Sequence, residues 1–356
     1  MTMQLDFIQT LVESVEGPRI PHPEDSIFDG SDAAQTAVDG IKEAIANPGA
    51  ISIKWDGNIA LFFGHNSAGE FFCADKYMYP KGIMPTTPEA WVDYDRNNRR
   101  QGADRNDLYD KIKMVWDGLK QATSQSTGVF KGDLMAVGKE IHKTRGNYSF
   151  QGPTVEYRIP MNSPIGILMH GKIAVVVVHQ YNGKPWDGST GLVSGGNVAI
   201  LNSTAGNTFR LNEPTQLVRA ADSAIATYGE LVDALFSSMT KVAKDTIKIY
   251  FNKKITQQTD KKLSDWLQEN KPAQYKKLIA SNYLEEHKDA YEGLKTIWNA
   301  IYQLKVNLSE QLEPQVRGFG QFVDGQPAGE GFVFNSSEGL LKFVNRGVFG
   351  VTHFNK

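Results

Sequence analysis

Apolar residues recur with helical spacing over 104–122, where Leu108, Ile112, Val115 and Leu119 fall on one face. A second helix is predicted over 32–46, with Ser31 as N-cap and Asn47-Pro48-Gly49 as its stop, and a third over 88–100. Elsewhere the apolar runs are short and bounded by turn residues. Those at 51–54, 59–64, 70–75, 129–137, 155–159, 165–169 and 173–181 are predicted as strands. They follow one another without alternating helices, so the pattern predicts an antiparallel α+β core and not βαβ units.

The character of the chain changes twice. Residues 182–207 are rich in Gly, Ser, Asn and Thr and read as loops or a hairpin. Ser194-Gly195-Gly196-Asn197 in that stretch is a turn and not a phosphate cradle, because no Gly-Lys-Ser/Thr helix start follows it. From 217 to 312 the period becomes helical, with Leu231, Leu235, Met239 and Val242 in one stripe and Tyr291, Leu294, Trp298, Ile301 and Leu304 in another. A bundle of four or five helices is predicted there, inserted into a domain made of 1–216 and 313–356. There is no internal repeat.

With 356 residues, 40% of them hydrophobic, the chain can bury a sizeable core. Its single cysteine, Cys73, excludes an intramolecular disulfide and a multi-cysteine zinc site. The first sixteen residues lack a signal-peptide pattern, and the longest apolar run, 173–178, is too short to span a bilayer. A soluble cytoplasmic protein, monomeric by default and without a membrane partner, is expected. The net charge of −2 is unevenly spread: residues 241–305 hold 13 Lys against 8 Asp or Glu, leaving the remainder acidic. Such a segment can track phosphates, with Lys253, Lys254, Lys261 and Lys262 as the contacts, or it can simply solvate the outside of a bundle.

Lys54-Trp55-Asp56-Gly57 stands between two strand-like runs. A lysine at the end of a buried strand loses solvation, which favours its neutral, nucleophilic form. In extended chain Asp56 projects to the same side as Lys54, and Gly57 allows the backbone close to a ligand. Taken alone, the tetrapeptide is equally a hairpin with a solvated lysine and a turn aspartate.

Three further segments follow in order: Phe130-Lys131-Gly132-Asp133-Leu134-Met135, Glu330-Gly331-Phe332-Val333-Phe334 and Leu340-Leu341-Lys342-Phe343-Val344-Asn345-Arg346. With them the chain resembles the covalent nucleotidyltransferase superfamily of polynucleotide ligases and mRNA capping enzymes. That family's ordered motifs are a K-x-D-G nucleophile strand, a G-E-L-like acid, an E-G-x-V strand and a lysine-bearing last strand. It is similar, more narrowly, to ligase-related proteins of large tailed phages, through His22-Pro23-Glu24-Asp25 and Lys131-Gly132-Asp133-Leu134-Met135. The resemblance covers 20–200 and 315–356. It implies an adenylation domain interrupted by a helical insertion, without a C-terminal oligonucleotide-binding barrel.

The activity implied is an ATP-dependent polynucleotide ligase, closer to RNA ligases than to DNA ligases, that passes through a covalent lysyl-AMP. ATP and Mg²⁺ (or Mn²⁺) would be required, and the partners would be nucleic acids with 5′-phosphate and 3′-hydroxyl ends. For a phage-encoded protein the location would be the host cytoplasm. Lys54 would be the nucleophile, with Asp56 and Gly57 positioning the nucleotide. Asp133 and Glu330 would serve ribose hydroxyls and the metal; the family more often has glutamate at the first. Lys342 would neutralise the α-phosphate, and Arg346 would stand in for the second lysine that most relatives carry in that strand. Lys76 would face the nucleotide, and His179 or Tyr181 would stack on the base. His142, Arg145 and Arg158 are further possible phosphate contacts. Two other readings share the fold: a capping-type guanylyltransferase, and a catalytically silent nucleic-acid-binding protein.

Overall fold

A computed structural model of the chain describes residues 20, 22–98, 104–186, 188, 190–257 and 260–346. The protein is mixed α+β. Its strands, in chain order, are β1 (Ile51–Ile53), β2 (Ile59–His65), β3 (Phe71–Asp75), β4 (Val129–Val137), β5 (His142–Thr144), β6 (Asn147–Gln151), β7 (Glu156–Pro160), β8 (Ala174–Tyr181), β9 (Lys184–Pro185), β10 (Val198–Asn202), β11 (Gly320–Val323), β12 (Gln326–Pro327), β13 (Phe332–Ser336) and β14 (Gly339–Phe343). They belong to two compact units. One takes Ile53–Asn207 and Val316–Pro327; the other takes the described residues within Arg19–Ser52, Thr208–Gln315 and Ala328–Lys356.

The first unit is built on a sheet of order β10-β8-β4-β2-β3, with β9 paired to β8. β4 alternates, so that Phe130 and Leu134 enter the core while Lys131 and Asp133 face the other way. Val176 and Val178 of β8 join the same core, as do Ile112, Val115 and Leu119 of the helix Asn106–Ala122. The spacing of that helix is therefore satisfied by one buried face. A second, antiparallel sheet runs β12-β11-β7-β6-β5. Its Tyr157 stacks on Phe150 at 5.2 Å.

The second unit holds a small sheet of order β1-β13-β14 and a set of helices. The helix Ser31–Ala46 packs against the β13–β14 hairpin. The long helices Thr215–Ser238 and Lys288–Leu312 lie against each other, with Leu294, Ile301 and Leu304 fully buried. Between them run Lys241–Thr256, Leu263–Asn270, Pro272–Leu278 and Tyr283–Glu286.

Several elements differ from the pattern reading. The run at 165–169 forms the short helix Pro164–Leu168 and not a strand, because Ser163 caps it by accepting the Gly166 N–H at 3.1 Å and Pro164 sits at its first position. Ser31 does not cap its helix. Gly30, at φ +117, occupies the cap, while the Ser31 N–H and hydroxyl both bond Asp233. β10 pairs with β8 in parallel, so that sheet is mixed. The hairpins β5–β6 and β11–β12 lie where no strand was predicted. The helix predicted over 88–100 is seen as Pro88–Asn98, and its last two positions fall outside the described residues. So do the first sixteen residues, which the leader argument concerned. The units also divide the chain differently from 1–216 plus 313–356 against 217–312. The first helix and the last hairpin join the helical residues, since their apolar faces are buried there. Among the described residues no helix is long and apolar enough to cross a membrane.

Candidate functional site

Trp55 anchors the Lys54 loop. Its indole packs against Tyr157 at 5.0 Å and Phe319 at 4.7 Å, and its Nε1 donates to the Ser203 carbonyl at 3.1 Å. With Trp55 buried, Lys54 and Asp56 on either side are held half-buried. The Asp56 N–H donates to the Tyr157 hydroxyl at 2.6 Å, while Asp56 Oδ2 accepts the backbone N–H groups of Thr154 at 2.5 Å and Val155 at 3.1 Å. Asp56 thus fastens the loop before β7. Gly57 is needed for close approach: a Cβ there would lie 2.3 Å from the Asp133 Cβ.

Burial holds the Lys54 ammonium below the usual lysine range, against the pull of the Asp56 and Asp133 carboxylates, which favour the charged form. Asp133 lies on β4 opposite Ala60 of β2 and Val177 of β8. Its Oδ2 accepts from His179 Nε2 at 3.0 Å. His179 owes its position to a bulge: Lys131 pairs with Gln180 and Gly132 with Val178, which leaves His179 between them unpaired in the ladder. Tyr181 belongs to the opposite face, packed on Phe130 at 4.8 Å and against Gly128. Of the two rings considered for stacking, only His179 shares the face of Asp133.

Lys131 is the residue that pattern reasoning passed over. It stands two positions before Asp133 on the same face of β4, with its ammonium 5.8 Å from the centre of the Phe62 ring. Burial lowers its pKa, opposed by Asp133. The i, i+2 spacing of Lys131 and Asp133 in a strand was the available signal.

Other candidates stand apart from this cluster. Lys76 is exposed in the turn after β3, its ammonium 5.2 Å from the Tyr77 ring centre. Arg158 turns its guanidinium back on Glu156, with bonds of 2.8 and 2.7 Å. His142 and Arg145 are exposed at the β5–β6 hairpin.

The remaining predicted residues belong to the second unit. Glu330 is half-buried just before β13, beside Gly331, whose φ of +113 and 2.4 Å approach of a Cβ to the Phe343 carbonyl admit no side chain. Lys342 lies on β14 opposite Val333. The Arg346 assignment is corrected by the structure. Its guanidinium is buried and donates to Asp25 at 3.1 and 2.6 Å and to Asn252, so its fork is spent inside the helical unit and offers no second cation to a phosphate. Beside it, Glu24 forms a buried ion pair with Lys305, and Trp298 Nε1 donates to Asp25 at 3.4 Å. The two acids of His22-Pro23-Glu24-Asp25 are thus partners of Lys305 and Arg346. Burial works to raise the Asp25 pKa, but the Arg346 hydrogen bonds and charge outweigh it and hold the carboxyl below its ordinary value.

Among the described residues no group of three or more His, Cys, Asp or Glu side chains is arranged to hold a metal ion. The site is then a loop lysine beside a carboxylate and a histidine on the face of a mixed sheet opposite Phe130 and Leu134, within an α+β protein. The chain belongs to a family of unknown function, DUF6267, whose model matches residues 19–356. No curated protein and no solved structure matches it.

Proposed function

We propose that the protein is a nucleotidyltransferase of the covalent lysyl-adenylate type, acting as an ATP-dependent polynucleotide ligase. The observation that carries this reading is Lys54: a half-buried amine with depressed basicity, held beside Asp133 by a loop that Trp55 and Asp56 lock in place. The neutral amine is the nucleophile, and depressed basicity gives Lys54 a larger share of it than an ordinary surface lysine has. In the reaction the Lys54 nitrogen attacks the α-phosphorus of ATP. The N–P bond forms as the bond from that phosphorus to the pyrophosphate oxygen breaks, and the amine releases a proton to solvent. An oxygen of a 5′-phosphate then attacks the same phosphorus, the N–P bond breaks and the amine is regenerated, and a 3′-hydroxyl attacks the activated 5′-phosphate and expels AMP.

Within the first unit, Lys131 supplies a cation for the phosphates, and His179 keeps the Asp133 carboxylate oriented. The donor set fits Mg²⁺ only as an ion that retains waters and takes phosphate oxygens, since Asp133 has a single oxygen not engaged by His179. Such an ion would offset phosphate charge. Glu330 and Lys342 enter this reading through their motifs alone.

The test is incubation with ATP or GTP labelled at the α-phosphate, with Mg²⁺, followed by denaturing gels. Label from ATP that survives alkali and is lost in acid marks a phosphoramidate. Lys54→Ala and Lys54→Arg should take up none, the latter because arginine stays protonated at any working pH. Label on either variant overturns the assignment, and label from GTP alone makes the protein a guanylyltransferase.

A further inference from the structure

Between residues 141 and 186 the chain holds one acid, Glu156, against five cations, Lys143, Arg145, Arg158, Lys172 and Lys184. That acid is spent on Arg158. Glu140, just before the stretch, is spent as well: it pairs with Lys111 at 2.7 Å and accepts the Val137 N–H at 2.9 Å. Lys143 and Arg145 are both exposed, and among the described residues neither is in an ion pair. The Lys143 ammonium lies 5.8 Å from the centre of the Tyr148 ring, a contact that leaves its charge in place. The helical residues differ. Of the lysines in 241–305, Lys261 is answered by Glu269 at 2.5 Å, Lys288 by Glu285 at 3.7 Å, Lys295 by Glu292 at 2.7 Å and Lys305 by Glu24.

The two uncommitted cations sit on the outermost hairpin of the second sheet. β5 is its edge strand, all three residues of β5 are exposed, and a Cβ on Gly146 at the turn would meet nothing within 4 Å. The far end of the hairpin is tied to the Lys54 loop. β6 runs from Asn147 to Gln151, a rise of about 14 Å, and Thr154 and Val155, whose N–H groups hold Asp56, follow it. That rise is about four phosphate steps along one strand of a duplex.

The kind of partner follows from what the hairpin lacks. Among the described residues no large apolar side chain is exposed between 139 and 151, so a membrane or an apolar protein face would find nothing to bury. Tyr148 and Phe150 are buried, so no ring is offered to a base. What remains is positive charge on a projecting turn, which suits the repeated phosphates of a backbone and reads no sequence. We infer that the β5–β6 hairpin carries the phosphate backbone of a polynucleotide, with Lys143 and Arg145 as its contacts. The inference rests on the polynucleotide reading above and gives that substrate a surface to lie on.

Fluorescence anisotropy with 3′-labelled, 5′-phosphorylated oligo(dT) and oligo(dA) across a salt series tests it. Both should bind equally, because no base is read. Lys143→Gln combined with Arg145→Gln should weaken both by about tenfold and reduce the log–log salt slope by about 1.4, roughly 0.7 for each lost phosphate contact. Both side chains are exposed, so this variant keeps the fold, which circular dichroism verifies. Lys113→Gln with Lys120→Gln removes the same charge from exposed positions of the helix Asn106–Ala122 and should keep the affinity and slope of the parent. Charge on an edge strand also deters pairing with another chain, and a hairpin with that role alone would leave anion binding unchanged when neutralised. Absence of binding, a hairpin variant that binds like the parent, or an equal loss in the helix variant therefore each overturns the inference. So does displacement of the oligonucleotide by poly-glutamate at equal charge, which would make the partner an acidic protein. Labelling of the parent by ATP separates the two readings. Labelling without strand binding removes the hairpin's role alone, and hairpin-dependent strand binding without labelling removes the ligase reading alone.

Discussion

At Lys54 burial favours the neutral amine, while the carboxylates of Asp56 and Asp133 favour the ammonium. Burial is the largest, so the amine loses its proton below the ordinary lysine value of 10.5. Only the neutral form attacks phosphorus, so the rate of self-adenylylation should rise with pH and level off above that lowered pKa. Asp133→Asn removes an influence that raises it. The rising limb of the rate profile should then move to lower pH, even if the plateau falls because an oxygen near the phosphates has gone. A limb that stays in place or moves up would show that Asp133 does not act on Lys54. Alternation along β4 tells that Lys131 and Asp133 share a face, but it could not separate His179 from Tyr181, which the bulge in β8 turns to opposite faces. Arg346 was not legible. Its partner Asp25 lies 321 residues away, and no local pattern announces a pairing at that distance.

The elements that sequence described well bury a single periodic face, as Asn106–Ala122 does with Ile112, Val115 and Leu119. Where the run is short, periodicity cannot choose between helix and strand, and the choice at Pro164–Leu168 passes to the Ser163 cap. Ser163→Ala should therefore cost about 1 kcal/mol of stability, readable as a lower denaturant midpoint with unchanged slope. The hairpins β5–β6 and β11–β12 turn at Gly146 and Gly325, both at positive φ, a signal hidden by the polar residues around it. Gly57→Ala is expected to be more damaging than its size suggests. The added methyl would meet the Asp133 side chain, so the loop or β4 must shift, at a cost of about 1–3 kcal/mol. Labelling by ATP should fall with stability in this variant, whereas Ser163→Ala should leave it intact. Equal labelling by Gly57→Ala and the parent would mean that the loop can relax without disturbing Lys54.

For the molecule as a whole, the buried Glu24, Asp25, Lys305 and Arg346 cluster balances two acids against two bases. Lys305→Met leaves the buried Glu24 only the longer Arg346 contact at 3.4 Å and should destabilise the second unit by about 3 kcal/mol. Replacing Glu24 by Leu in the same chain should restore much of that loss, since a neutral, well-packed pair avoids desolvating two charges. Chemical denaturation of the two single variants and the double variant measures the coupling; additive losses would mean that the pair does not act as a unit. Acid should also loosen this unit. Because the folded-state pKa of Asp25 lies below 3.8, its contribution is fully present above that value and fades as pH falls through the folded pKa. Unfolding followed by tryptophan fluorescence should show stability declining over that interval, and less steeply in Asp25→Asn.

The spread of this cluster along the chain bears on biosynthesis. During translation the segment carrying Glu24 and Asp25 leaves the ribosome first, and the whole of Ile53–Asn207 follows before Lys305 is made. Until Lys305 and Arg346 emerge, the two acids have no buried site to enter, and the first unit likewise waits for Val316–Pro327 to complete its second sheet. Nascent chains halted before Lys305 would thus hold helices with exposed apolar faces, the form that chaperones and proteases recognise.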